Sequence, residues 1–327
     1  MSNSSRVSDG LSSNGTEGVI LIIPTLRRPD FLARCLESIA AQTKLPAEVL
    51  VGIRSDDDES PLILPKFSGR LQVRAVEAKG VGVVGSMNSC LAEAQGKFIG
   101  LLDDDIELPS HWLETMLRHL RDCPDILAAA GRDALQDYPA MRRSESRTTD
   151  VGRIHWFGRI TGNHHRGGGP PRRVDVLRGS NCLFRAEFLQ DVGFEEALRG
   201  KGAQVAWELA LAFQAAKRKR PLFYDPSIEV IHHVAPRLAG DNIHRGHYDR
   251  EGTRDLAFNE TFVIARHGSG FRRVSAVAWQ LVIGSPLCPG LFHAAKHILR
   301  HSPHQGDRIG ATIQGRIEAI RLAATLK

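Results

Sequence analysis

Short apolar runs, each closed by a polar turn, alternate with stretches of helical periodicity over the first two thirds of the chain. Residues 19–23, Val-Ile-Leu-Ile-Ile, form a buried-strand run that Pro24 ends. Pro29 suits the first position of the next helix, Asp30 sits in its first turn, and Phe31, Leu32, Cys35, Leu36 and Ile39 recur at helical spacing. Residues 48–53 and 71–76 are predicted as the second and third strands, and 86–94 as a helix. Residues 98–102 are predicted as a fourth, continuously apolar strand, the pattern of a strand covered on both faces in α/β proteins. Helices are predicted at 112–120, 207–216 and 256–266, and residues 222–224 with 228–231 as a hairpin-like pair of strands.

The fourth strand runs directly into Asp103, Asp104 and Asp105. Three adjacent acids repel one another, and ligands in open α/β sheets bind beyond the carboxyl ends of strands. In extended backbone i and i+2 point the same way, so Asp103 and Asp105 can share one site. A divalent cation, Mg²⁺ or Mn²⁺, would remove the repulsion. A solvated acidic turn capping the next helix is the competing reading.

Other turns reach the same edge. Thr25 and Arg27 follow the first strand, and Arg54 to Glu59 form a second acidic cluster after the second. Asn88 falls in the helix that follows Gly80, Gly82 and Gly85, which are not a P-loop because no Gly-Lys-Ser/Thr follows. His232 and His233 end the last predicted strand; an imidazole there is a third metal ligand or an ordinary surface group. Residues 137–171, with Arg142, Arg143, Arg147, Arg153, Arg159 and Arg166, read as a mobile basic loop over the substrate, or as plain disorder.

Composition narrows the class. The chain has 327 residues, 42% hydrophobic and 24% charged, as in soluble globular proteins. Its net charge of +6 suggests an anionic partner. Basic residues are not interleaved with aromatics, which argues against nucleic acid. Five scattered cysteines read as reduced thiols in a cytoplasmic protein. The Ser/Asn/Gly-rich start reads as a disordered leader, not a signal peptide. Apolar residues 274–283, flanked by Arg272, Arg273, Lys296 and Arg300, read as an interfacial membrane segment or a packed helix, so peripheral contact with the inner face of the membrane is one expectation.

Taken in order, these motifs resemble the family 2 glycosyltransferases, which have the nucleotide-diphospho-sugar transferase (GT-A) fold. The strand with Pro24-Thr25, the second acidic turn, Leu102-Asp103-Asp104-Asp105, Gly179-Ser180-Asn181…Arg185, the helix holding Glu208 and Tyr224-Asp225-Pro226…His232-His233 carry the likeness. Gly202-Ala203-Gln204, Ala235-Pro236-Arg237 and Asn259-Glu260-Thr261 resemble one subgroup of bacterial polysaccharide glycosyltransferases. The likeness implies a mostly parallel central sheet flanked by helices. It divides the chain into a leader (1–17), a catalytic domain (18–237) and a mainly helical C-terminal extension (238–327). It implies a nucleotide-diphospho-sugar donor held by Pro24, Thr25, Arg27, Asp56, Asn88, Asp103 and Asp104. It also implies Mn²⁺ or Mg²⁺ on Asp103, Asp105 and His232, with Asn181 and Trp207 on the acceptor side. Three departures matter: Ile53-Arg54-Ser55-Asp56 stands where the family often has Asp-Asp-Gly-Ser, Ser86-Met87-Asn88 lacks the family's usual Arg, and Val205-Ala206 stands where the usual acidic pair would supply the base. Glu208 is the nearby acid that remains.

The expectation is an inverting, metal-dependent transferase acting on a hydroxyl of a growing surface polysaccharide or lipid-linked glycan. A non-catalytic sugar-nucleotide-binding protein and a nucleotidyltransferase are the alternatives. The latter would want a glycine-rich loop after the first strand, which Thr25-Leu26-Arg27-Arg28 is not.

Overall fold

The computed structural model describes residues 15–136, 146–236, 248–301 and 303–326. Its centre is a nine-stranded sheet. In chain order the strands are β1 (Gly15–Thr25), β2 (Leu45–Ile53), β3 (Val73–Glu77), β4 (Phe98–Leu102), β5 (Ile106–Glu107), β6 (Ala128–Leu135), β9 (Arg172–Val174), β10 (Asn181–Arg185) and β11 (Leu222–His232). A separate hairpin joins β7 (Arg153–Ile154) to β8 (Ile160–Thr161). The sheet order is β3-β2-β1-β4-β10-β6-β11-β5, with β9 paired to β11. Strands β3, β2, β1 and β4 run parallel, as do β6 and β11, while β10 lies antiparallel between β4 and β6.

Alternation along β1 explains the layers. Ile20 and Ile22 enter the core on one face, and Val19, Leu21 and Ile23 enter the core on the other. Helices α1 (Pro29–Ala40) and α3 (Trp112–Asp122) cover the second face with Leu36 and Trp112. Helices α2 (Gly82–Glu93), α4 (Ala186–Val192) and α5 (Trp207–Lys217) cover the first with Met87, Leu189 and Phe213.

The C-terminal helices are α6 (Arg250–His267), α7 (Gly270–Val282), α8 (Leu291–Leu299) and α9 (Gln305–Thr325). Phe258 and Phe262 of α6 and Ala319 of α9 join the same core as Phe213. Gly315 lets α9 approach closely, because a Cβ there would stand 2.2 Å from the Arg254 carbonyl. No described helix is long and apolar enough to cross a membrane.

Three expectations are corrected. Residues 222–232 are one strand, not a hairpin: β11 pairs with β6 on both sides of a register shift between Asp225 and Glu229. Pro226 sits in that irregularity, where its missing N–H breaks no ladder bond, and Asp225 Oδ1 accepts hydrogen bonds from Ser227 N and Oγ. Residues 146–171 are built, not loose. Val151, Ile154, Thr161 and His164 are buried, and Tyr224 Oη donates to the His164 carbonyl at 2.8 Å. Arg142, Arg143 and Arg237 lie outside the described residues. The 86–94 helix begins earlier, at Gly82, whose φ of +66° suits glycine and whose Cα lies against the Gln204 side chain.

Candidate active site

The adjacency of β1, β4 and β10 creates the site. Parallel β1 and β4 bring Thr25 and Asp103 to one edge, and antiparallel β10 starts there, with Asn181 opposite Leu102. The Arg178-Gly179-Ser180 segment therefore lies beside the acids, and Asp103 N donates to Ser180 O at 3.1 Å. His232 arrives at the end of β11, beside Ile106 and Leu135.

The structure brings Asp103 and Asp105 close together. One ligand atom from each, with one from His232, lie within 4.8 Å of one another. His232 Nε2 is 3.1 Å from Asp105 Oδ1 and 4.0 Å from Asp103 Oδ2. Asp104 turns away: its carboxylate accepts from Thr25 Oγ1 at 2.7 Å and from Arg28 Nη1 at 3.0 Å.

Burial and the neighbouring acids push the Asp103 carboxyl up to about 7 against the pull of His232. Its side chain is still 42% open to the cleft, so solvent tempers that penalty. Burial also raises Asp104, to about 6, against Arg28. Asp105 moves the other way, to about 2: burial opposes this, but the His232 hydrogen bond and charge and the Ala235 amide overcome it. His232 is pushed up to about 10, because the hydrogen bond and charge of Asp105 and the charge of Asp133 outweigh burial.

Asp133, on β6, is the buried counter-charge beneath the site, and sequence reasoning missed it. Its Oδ2 accepts from Ser180 Oγ at 2.6 Å and faces Arg178 Nε at 2.8 Å, while Oδ1 accepts from Asn181 Nδ2 at 2.7 Å. It stands 3.9 Å from His232 Nδ1, too far for a hydrogen bond, and that nitrogen has no partner among the described residues. These charges and hydrogen bonds outweigh burial and hold Asp133 well below the usual carboxylate range. The signal was one acid in an alanine-rich strand, which periodicity does not distinguish.

The cleft above these groups has a volume of about 650 Å³. Pro24, Thr25, Arg27, Arg54 and Asp56 line it together with Arg178, Lys201, Trp207 and Glu208. Asp56 is clasped by Arg54, Nε to Oδ1 at 2.9 Å and Nη2 to Oδ2 at 3.0 Å, and Arg27 Nη2 donates to its carbonyl at 2.8 Å. Asp57, the next acid, is a buried tie accepting from Arg27 N at 2.6 Å and Ser60 Oγ at 2.7 Å.

Helix α5 points Glu208 into the cleft from its first turn. The backbone before it is strained, with φ of +39° at Gln204 and +82° at Ala206. Gln204 holds the turn by accepting from Val84 N at 2.9 Å and donating to Leu198 O at 2.8 Å. Gly179 is needed beside it, because a Cβ there would stand 2.0 Å from the Trp207 ring. Desolvation at the cleft wall raises the Glu208 carboxyl, against the pull of backbone amides and of Arg178.

Two expected contacts are corrected. Asn181 does not face an acceptor: it is buried, its Oδ1 accepting from Gly131 N at 3.0 Å and from Trp112 Nε1 at 3.3 Å while its amide serves Asp133. Asn88 does not line the cleft either; it clips α2 to the turn after α4, accepting from Phe194 N and donating to Phe194 O, both at 2.9 Å.

Comparison with known proteins agrees with this geometry. The chain is 30% identical over 101 residues to GalNAc(5)-diNAcBac-PP-undecaprenol beta-1,3-glucosyltransferase of Campylobacter jejuni, a match covering 30% of this chain and 33% of that one. It thus spans about a third of that relative's length. S. aureus TarS, solved in complex with UDP-GlcNAc, shares the fold with a TM-score of 0.60 at 15% identity, over 93% of this chain and 83% of that one. The mannosyltransferase PcManGT from Pyrobaculum calidifontis, solved with GDP-Man and Mn²⁺, does so with a TM-score of 0.52 at 16% identity, over 94% and 87%. The profile of Glycosyl transferase family 2 matches residues 20–193, more than half of the chain. With its acid-ended strand, mostly parallel sheet and carboxylate-lined cleft, the chain belongs to glycosyl transferase family 2 and has the GT-A fold.

Proposed function

We propose that this chain transfers a sugar, with inversion, from a nucleotide-diphospho-sugar to a hydroxyl of a growing polysaccharide or lipid-linked glycan. The observation that carries the reading is the convergence of Asp103, Asp105 and His232 in one cleft with Glu208. Two carboxylates and an imidazole suit Mn²⁺ or Mg²⁺, and a cation there would offset the burial and like charge that disfavour ionised Asp103. Asp103, Asp105 and His232 would hold the ion, which supplies Lewis-acid neutralisation of the departing diphosphate. PcManGT, solved with GDP-Man and Mn²⁺, and the Campylobacter glucosyltransferase, named for an undecaprenol-linked glycan, support the donor and acceptor classes.

The protein's own groups do the rest. Arg27, Arg54, Lys201 and Arg178 make the cleft wall attractive to phosphate. Trp207 offers an apolar face to a sugar ring. Glu208 takes the proton of the attacking hydroxyl, and its raised carboxyl value brings it closer to the working pH of a base. One carboxylate at the reacting face suits a single displacement, which inverts the anomeric centre.

A thermal-shift panel of UDP- and GDP-sugars with and without Mn²⁺, followed by assay for released nucleoside diphosphate, tests the reading. At least one donor should stabilise the protein only with the metal. Binding of a donor that is indifferent to Mn²⁺ and Mg²⁺ and never turned over with any glycan acceptor would refute it.

A further inference from the structure

Helix α8 buries none of its residues. Leu291, Phe292, Ile298 and Leu299 are each between 54% and 79% exposed. With Ala295 they fall at i, i+1, i+4, i+7 and i+8, a spacing that gathers them on one face. Isolated helices below about 12–15 residues are marginal in water. A nine-residue helix with so exposed an apolar face therefore lacks, among the described residues, a partner that buries it. Its start is nonetheless held in place, because Arg316 of α9 donates to the carbonyls of Pro289 and Cys288 at 3.1 and 3.0 Å.

The neighbouring surface has the same character. Helix α7 is anchored through Ser275, Ala276 and Gln280, the last accepting from Thr261 Oγ1 at 3.0 Å, yet it exposes Phe271, Val274, Leu281 and Val282. The hairpin β7–β8 packs Gly158 against the Ser275 backbone of α7 and leaves Trp156 exposed. Residues 261–306 contain no Asp or Glu, but include Arg266, Arg272, Arg273, Lys296 and Arg300.

We infer that α8, with the outer face of α7, docks on an anionic lipid bilayer. The exposed face supplies the apolar contact, and Lys296 and Arg300 lie beside it to meet acidic headgroups. At about 1.5 Å per residue α8 is roughly 13 Å long, under half the ~30 Å hydrocarbon core, so it lies in the interface and does not span it. A second copy of the chain is a poorer occupant, since two such acid-free, cationic faces repel each other. The inference is independent of which donor or acceptor the cleft takes.

Co-sedimentation of the full chain with phosphatidylcholine vesicles, with and without phosphatidylglycerol, tests it. Binding should require phosphatidylglycerol and weaken as salt rises. Lys296→Gln with Arg300→Gln should weaken it about 30-fold, from ~1 kcal/mol per cation near the surface. Leu291→Gln with Phe292→Gln should weaken it at least tenfold, given about 1.5–3 kcal/mol for burying each side chain. Neither pair should change the melting temperature appreciably, because the four side chains are exposed and none is part of the core. Absence of binding at low salt, equal binding to pure phosphatidylcholine, or indifference to the Leu291/Phe292 pair would overturn the inference. So would a fall in melting temperature with that pair, which would mean an internal partner, or a concentration-dependent dimer that it abolishes.

Discussion

Asp133→Asn keeps the size of the side chain and removes one charge from beneath the site. All three partners of Asp133 (Ser180 Oγ, Asn181 Nδ2 and Arg178 Nε) are donors. Whichever way the new amide flips, its NH₂ opposes at least one of them, which costs about 1–3 kcal/mol for a buried hydrogen bond lost. Arg178 is 36% exposed and can turn to water. Its broken ion pair therefore adds about 1 kcal/mol, not the 3–5 of a fully buried pair. The total, about 2–4 kcal/mol, corresponds to a fall of roughly 3–6 °C in melting temperature for a chain of this size. Because the site loses a buried negative charge 3.9 Å from His232, Mn²⁺ affinity should fall about tenfold, the low end for an outer-shell carboxylate, since no hydrogen bond to the imidazole is lost. The pH dependence has a definite sign. The Asp133 carboxyl is depressed in the folded state, so its stabilisation is present above its unfolded value and is lost as pH falls through the lower folded value. Melting curves from pH 3 to 8 and Mn²⁺ calorimetry on parent and variant measure both effects, and the stability gap should narrow below about pH 4. A variant that melts within about 1 °C of the parent at neutral pH, far short of the fall expected, and binds Mn²⁺ equally well would refute the reasoning.

Three further outcomes are expected. Asp105→Ala should fold but lose all Mn²⁺-dependent stabilisation by a nucleoside diphosphate; retention of that stabilisation in thermal-shift assays removes Asp105 from the site. Glu208→Gln should bind donor normally while turnover drops about 10²- to 10⁴-fold and the acid limb of the pH–rate profile disappears. A rate within about threefold of the parent would move the base elsewhere, with Glu195, Glu196 and Asp241 next to test; Asp241 lies outside the described residues, and Glu195 is tied to His267 Nε2 at 2.7 Å. Without metal, parent stability relative to Asp103→Asn should fall as pH rises from about 4 to 7, because the folded Asp103 carboxyl is pushed up to about 7 and its charged form is disfavoured there. Chemical denaturation across that range should show the opposite slope once saturating Mn²⁺ is added, and an unchanged slope would sever the link between Asp103 and the cation.

What the amino-acid order determined by itself is local. Apolar runs ending in Pro24-Thr25 and Asp103-Asp104-Asp105 announced strands that stop at one edge, where the cleft lies, and the i, i+2 relation anticipated the closeness of Asp103 and Asp105. The helical period placed Glu208 in a first turn, where the structure has it. Tertiary structure decided everything that depended on partners far along the chain. Asn181 and Asn88 have the composition of ligand contacts, yet their amides are spent on Gly131, Asp133 and Phe194, 48 to 106 residues away. Asp133 looked like any strand acid until β10 laid Ser180 and Asn181 against it. Asp225-Pro226 reads as a turn in isolation, but pairing with β6 on both sides makes it an irregularity within one strand. The exposure of α8 was equally out of reach, because an apolar helical period says only that a face wants burial, not whether the fold supplies the cover.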